Sequence, residues 1–128
     1  MTYYHARTIE CAFDDAVERV TAALATQGFG ILTDIDVAAT MKKKLGKDMA
    51  PYRILGACNP AMAARALALE SRIGTMLPCN VILREVGPSR VEVAAIDPVA
   101  SMGAVGDPHL ADVSRRLADM LSNAAHAV

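Results

Sequence analysis

The chain has 128 residues, of which 53% are hydrophobic and 21% charged, and its 13 basic and 14 acidic side chains give a net charge of −1. This length fits one domain with one hydrophobic core, and the composition excludes a disordered chain. Because the near-neutral charge creates no overall positive field, neither nucleic acid nor an anionic membrane is an expected partner.

The cysteines and the amino-terminal sequence bear on where the protein works. The first residues lack the charged segment and apolar core of a secretory signal, and charges interrupt every later apolar stretch before about 18 residues. The chain has three cysteines, Cys11, Cys58 and Cys79, and none of them is in a CxxC motif. An odd number of cysteines with this spacing fits neither a disulfide framework nor a zinc site. We therefore expect a cytoplasmic protein with three free thiols and no bound metal.

The chain begins with a predicted strand and a predicted helix. Residues 3–11 read as a strand, and the apolar residues that follow recur at helical spacing over 14–27. Asp15 and Glu18 resemble a capping box near the start of this helix. Gly28 is expected to end it, because glycine tolerates the left-handed backbone found after a helix.

The middle of the chain alternates short strands with short helices. They are predicted, in order, as strand 31–35, helix 37–45, strand 52–57 and helix 60–70. Asp36 can cap the first of these helices and Asn59 the second. Pro60 is preset for the first helical position, which strengthens the predicted start of the second helix.

The last third of the chain predicts a hairpin, a loop and a helix. Strands at 80–86 and 90–96 flank Gly87-Pro88-Ser89, which has the residues of a tight turn. The final helix is predicted at 108–122 from its apolar stripe. Asp97–Gly106 is predicted as the longest irregular loop, and loops of that length are often functional.

This element order, β-α-β-α-β-α-β-β-α, predicts an α+β fold. A single, mainly antiparallel sheet of about five strands with helices packed on one face is the economical arrangement of such elements. No repeat or Pro/Ser-rich linker divides the chain, so residues 1–128 are expected to form a single domain.

Four stretches have a distinctive sequence: Gly28–Thr33 with Asp36-Val37, Lys44–Gly46 through Pro51–Pro60, Leu77–Val81 and Ile96–Pro98. In composition, order and spacing they resemble the family called domain of unknown function 302. The resemblance implies a compact α+β fold that is commonly dimeric. It supplies no reaction and no catalytic residues, although some relatives look like haem-binding proteins, which makes haem a possible cofactor.

Cys58 and Asn59 lie where a strand is expected to meet the amino-terminal end of a helix. Free backbone N–H groups and the helix dipole favour anions there and lower the pKa of a thiol. Cys58 is therefore a candidate reactive or ligand-facing group. In the alternative interpretation Cys58 is a small buried residue and Asn59 only caps the helix.

Cys79 and Asn80 lie at the entrance to the predicted hairpin. If this strand end is adjacent to the end that carries Cys58, two thiols and two asparagines would come together. Such a group could bind a soft metal, exchange to a disulfide or line a polar pocket. Alternatively, Asn80 is a turn residue and both cysteines fill the core.

These observations lead to one leading functional hypothesis and three alternatives. The leading hypothesis is a homodimeric, non-enzymatic domain that binds a small ligand or cofactor in a pocket lined by Cys58, Asn59, Cys79, Asn80, Asp97 and Met102. One alternative is a redox or transfer enzyme with Cys58 or Cys79 as nucleophile, although no base is evident. The others are a haem-binding protein and a purely structural or partner-binding module. His5, His109 and His126 are dispersed, which argues against a zinc hydrolase.

Overall fold

The computed structural model describes residues 2–128, which form five strands, five α-helices and two 3-10 turns. The strands are β1 Tyr4–Glu10, β2 Gly30–Asp36, β3 Tyr52–Cys58, β4 Cys79–Gly87 and β5 Arg90–Ile96. The helices are α1 Phe13–Thr26, α2 Val37–Leu45, α3 Pro60–Leu69, α4 Pro98–Met102 and α5 Pro108–His126. The 3-10 turns are Ser71–Met76, between α3 and β4, and Gly103–Val105, between α4 and α5.

The five strands form one open sheet in the order β1-β5-β4-β3-β2, and every neighbouring pair is antiparallel. The α+β fold and the predicted order of elements are therefore confirmed. The predicted hairpin is β4-β5, in which Gly87 faces Arg90 across the turn. Ser89 adopts a φ of 50° there, in the left-handed region that such tight turns require.

The hydrophobic core lies between the sheet and the helices α1 and α5, which both contact β5. Alternate residues of the central strands point into it: Val81, Leu83, Val91, Val93 and Ala95 are all buried. The apolar stripe of α5 supplies Leu110, Val113, Leu117 and Leu121, all buried as well. The remaining strand residues point to the other face of the sheet, which we call the outer face.

Two local predictions were wrong. The residue before α1 is Ala12, whose side chain makes no capping hydrogen bond, so the capping box proposed at Asp15 does not form. The stretch after Asp97 is not an irregular loop. Asp97 caps α4 by accepting a hydrogen bond from the Val99 amide at 3.0 Å, and Pro98 occupies the first helical turn, so both residues start a helix there.

None of the helices in residues 2–128 combines enough length with enough hydropathy to cross a bilayer.

Candidate functional site

A cavity of about 310 Å³ lies at the end of the sheet where β3 stops and β4 starts. Its walls come from six places in the chain: Leu32 of β2, the end of β3, the start and one side of α3, the 3-10 turn Ser71–Met76, the short segment Leu77-Pro78 and Cys79 of β4. Leu117 of α5 closes it on the core side. We call this space the β3–β4 cavity.

The antiparallel pairing of β3 with β4 brings the two cysteine-containing segments together. Ala57 lies opposite Cys79 in the ladder, so Cys58 is one residue beyond this pair. Successive strand residues point to opposite faces, which directs Cys58 and Cys79 to different sides of the sheet. Both nevertheless line the β3–β4 cavity, and Cys58 is the last residue of β3.

The two thiols have different surroundings. Cys79 is only 4% exposed, and burial, together with the nearby Cys58, raises its pKa to about 11. The Cys79 side chain therefore remains a neutral thiol at physiological pH. Cys58 is half-buried at the edge of the cavity, and Cys11, also half-buried, packs against the core elsewhere. All three cysteines are free.

Asn59 acts as a structural link as well as a wall of the cavity. Its Oδ1 accepts a hydrogen bond from the Met62 amide at 3.3 Å, which caps α3. Its Nδ2 donates to the carbonyl oxygen of Gln27 at 3.3 Å and lies 3.6 Å from Sδ of Met120. The start of α3, the end of α1 and α5 are thus joined by one amide.

Gly28 leaves the room that Asn59 needs. It ends α1 as predicted, with a φ of 83°, and a Cβ atom at this position would lie 3.0 Å from Nδ2 of Asn59. A side chain at residue 28 would therefore be strained by its backbone and would also press on the capping amide.

Asn80, Asp97 and Met102 do not join this cavity. Asn80 is exposed on the outer face and lines a separate groove that contains all three tyrosines. The Asp97 carboxylate caps α4 and lies 3.8 Å from Nε2 of His5. Met102 is buried, with its Sδ 3.7 Å from the hydroxyl of Ser114. Of the six predicted residues, the structure places Cys58, Asn59 and Cys79 around one cavity.

Several lining residues had no functional signal in the sequence. Ala63 and Leu67 face the cavity from α3, and Gly74 does so from the 3-10 turn. Leu67 is 44% exposed and Leu32, at the β2 bulge, is 66% exposed, so both form an apolar rim. Ala63 and Leu67 stand four positions apart, which places them on one helix face, but the same spacing is usual for core residues.

The chemistry of the lining is simple. The two thiols are the only ionisable side chains among the residues around the cavity. In the part of the chain that the structure describes, no three His, Cys, Asp or Glu side chains are grouped to hold a metal ion. None of the three histidines lines the cavity, so a haem bound there would have a cysteine as its only familiar protein ligand.

The fold and the cavity define a small α+β protein with one open antiparallel sheet and an apolar pocket at the sheet end. The chain belongs to the family described as Domain of unknown function DUF302, whose family model matches residues 5–128. This confirms the family that the sequence motifs indicated. A search of curated proteins found no match.

A solved structure has the same fold. It is described as the crystal structure of an uncharacterized conserved protein DUF302 from Bacillus stearothermophilus. The two chains are 24% identical and superpose with a TM-score of 0.91, and the match covers 99% of this chain and 98% of the other. The similarity therefore extends over the whole sheet and its helices.

Proposed function

We propose that this protein is a cytoplasmic, homodimeric domain that binds a small molecule in the β3–β4 cavity. The observation that carries the proposal is the cavity itself, whose 310 Å³ reaches the lower end of the usual size of ligand pockets. It lies where two of the family-like sequence stretches, those containing Cys58 and Cys79, meet. The ends of β3 and β4 and the first turns of α3 supply part of its wall, and such regular elements favour a preformed site.

In the alternative of a thiol enzyme, Cys58 is the only remaining candidate for the nucleophile. Cys79 is buried, and its raised pKa keeps it protonated, which makes it a poor nucleophile. Cys58 borders the cavity, but no histidine or carboxylate lines the same space to act as its base. Binding without reaction is thus the better-supported function.

Proposed homodimerisation rests on the outer face of the sheet. Tyr4 and Ile35 are apolar side chains that are 40% and 46% exposed there. At the centre of this face Arg84 and Glu92 form an ion pair at 2.8 Å. A two-fold related copy can place each of these charges against its opposite, as an interface between identical patches requires. Tyrosine and arginine are also enriched in interfaces.

The proposed cytoplasmic location is supported by the free thiols. Cys11, Cys58 and Cys79 are unpaired, and a reducing compartment keeps thiols in that state.

A pair of glycine variants tests the ligand site. Gly74 and Gly103 both lie in exposed 3-10 turns, where an added Cβ meets nothing closer than Leu67 Cδ2 at 4.0 Å. Gly74→Leu adds four carbon atoms at the wall of the β3–β4 cavity and leaves too little space for a ligand of about ten atoms, whereas Gly103→Leu lies outside the cavity and serves as the matched control.

The assay is an NMR screen of a fragment library against ¹⁵N-labelled protein. We expect fragments that shift the amide signals of Cys58, Gly74 and Cys79, and we expect Gly74→Leu to abolish their binding while Gly103→Leu preserves it. Fragments that bind Gly74→Leu as well as the wild type, or a screen in which no fragment shifts these amides, would contradict the proposal.

Light scattering tests the dimer. At micromolar concentration the wild type should have the mass of two chains, and Ile82→Lys, which places a charge on the outer face, should have the mass of one. Arg116→Ala, on the exposed side of α5, is the control and should remain dimeric. A monomeric wild type would refute this part of the proposal.

A further inference from the structure

The β3–β4 cavity has a size and a polarity that restrict what it can hold. On the assumption that it is a ligand site, as proposed above, we infer that it takes an uncharged, mainly apolar molecule of about ten non-hydrogen atoms. The single polar group of such a molecule is expected at the open side of the cavity, beside the exposed Leu32 and Leu67.

The size of the ligand follows from the volume of the cavity. An apolar protein cavity of about 150 Å³ accommodates benzene, which has six non-hydrogen atoms. The β3–β4 cavity is about 310 Å³, roughly twice as large, so about ten to twelve such atoms fit. A dinucleotide or a haem is much larger than this and would have to remain mostly outside.

The absence of charged side chains in the lining determines the polarity of the ligand that the cavity favours. No Lys, Arg, His, Asp or Glu side chain lines the cavity, so an ion inside it would have no lining side chain of opposite charge as a partner. Burying an unpaired ion is costly, whereas a neutral apolar group gains free energy by leaving water. The raised pKa of Cys79 indicates the same preference, because burial in this wall disfavours the charged form of the protein's own thiol.

The rim explains where a polar group of the ligand fits. Leu32 and Leu67 are exposed apolar side chains at the opening, so the bound molecule keeps apolar contacts as far as the surface. The amide of Asn59 is already committed to the Met62 and Gln27 backbones. Any polar atom of the ligand is therefore satisfied mainly by water at the opening, which allows one such group and disfavours several.

Three probes of one size and shape test this inference. They are 4-methylbenzamide, which is neutral, 4-methylbenzoate, which is an anion, and 4-methylbenzamidinium, which is a cation. Each is titrated into the ¹⁵N-labelled full chain, and dissociation constants are taken from the amide shifts of Cys58, Gly74 and Cys79. Gly74→Leu and Gly103→Leu are measured in parallel, so that binding in the cavity is separated from binding elsewhere.

We expect the neutral amide to bind at these residues at least about tenfold more tightly than either ion, because an ionic group at the apolar opening would lose part of its hydration without gaining a partner of opposite charge. Its binding should disappear in Gly74→Leu and persist in Gly103→Leu. Equal or tighter binding of either ion at the same amides would overturn the inference on ligand class while leaving the site intact. Failure of all three probes in a protein that binds other fragments there would also overturn it, whereas a protein that binds nothing in the cavity would refute the proposed function itself.

Discussion

The buried thiol of Cys79 makes the stability of the protein depend on pH in the alkaline range. Its pKa is raised from 9.0 to about 11, with burial as the main cause. In the unfolded chain the same thiol ionises at its ordinary pKa, so between these two values the folded state holds a proton that the unfolded state has lost. The contribution of this thiol to the free energy of unfolding must therefore fall as pH rises through about 9 and stop falling above about 11.

The size of this loss of stability follows from the pKa shift of Cys79. A change of about two pKa units, at roughly 1.4 kcal/mol each, corresponds to a loss of about 2–3 kcal/mol. Lysine and tyrosine side chains titrate over the same pH range, so the effect has to be measured as a difference. In Cys79→Ala the other groups remain, and only the contribution of this thiol is removed.

The assay is urea unfolding of the wild type and Cys79→Ala, each at pH 8 and near pH 11. We expect the wild type to lose about 2–3 kcal/mol more than Cys79→Ala between the two conditions. Alkylation provides a second measurement, because the shift reduces the thiolate fraction of Cys79 about a hundredfold at neutral pH. Equal pH dependence of the two proteins, or native Cys79 that is alkylated as fast as in the denatured chain, would refute the assignment of Cys79 as a buried neutral thiol.

Three further predictions concern single contacts. Asn59→Ala should lower the free energy of unfolding by about 1–2 kcal/mol in urea, and Asn59→Asp should also lower it, because it keeps the cap but places a carboxylate oxygen against the carbonyl oxygen of Gln27. Gly28→Ala should cost about 1 kcal/mol or more, since it combines a left-handed backbone with pressure on Asn59; a neutral effect would argue against this contact. The hydrogen bond from Nε of Arg53 at 2.7 Å lowers the pKa of Asp34 below 3.8. An NMR titration should therefore show a midpoint below this value in the wild type and a return toward it in Arg53→Gln. The stability that this pair contributes should be lost only as pH falls through the lowered pKa of Asp34.

Much of the fold could be predicted from local chemistry. Asp36 and Asn59 cap the helices that they were expected to cap, and Gly28 ends α1, because each of these roles depends on one side chain and its neighbours in sequence. The capping box at Asp15 failed because the helix begins two residues earlier, at Phe13. The segment after Asp97 looked irregular because a helix as short as α4 has no periodic pattern to reveal it.

The candidate site was predictable only in part. That Cys58 and Cys79 border one cavity required the pairing of β3 with β4, which the sequence suggested but did not determine. Asn80 points to the outer face because strand residues alternate, and a shift of one residue in register would have reversed this. The rim residues Leu32 and Leu67 carry no chemical signal, since only the three-dimensional structure distinguishes an apolar rim from an ordinary apolar surface.

The most direct test of the central claim, that the β3–β4 cavity is a small-molecule site, is a crystal structure of the protein soaked with 4-methylbenzamide. We expect electron density for the probe between Leu67 of α3 and Cys79 of β4, with its amide group toward the opening beside Leu32. Density found only in the groove of the outer face, beside Tyr52 and Asn80, would contradict it.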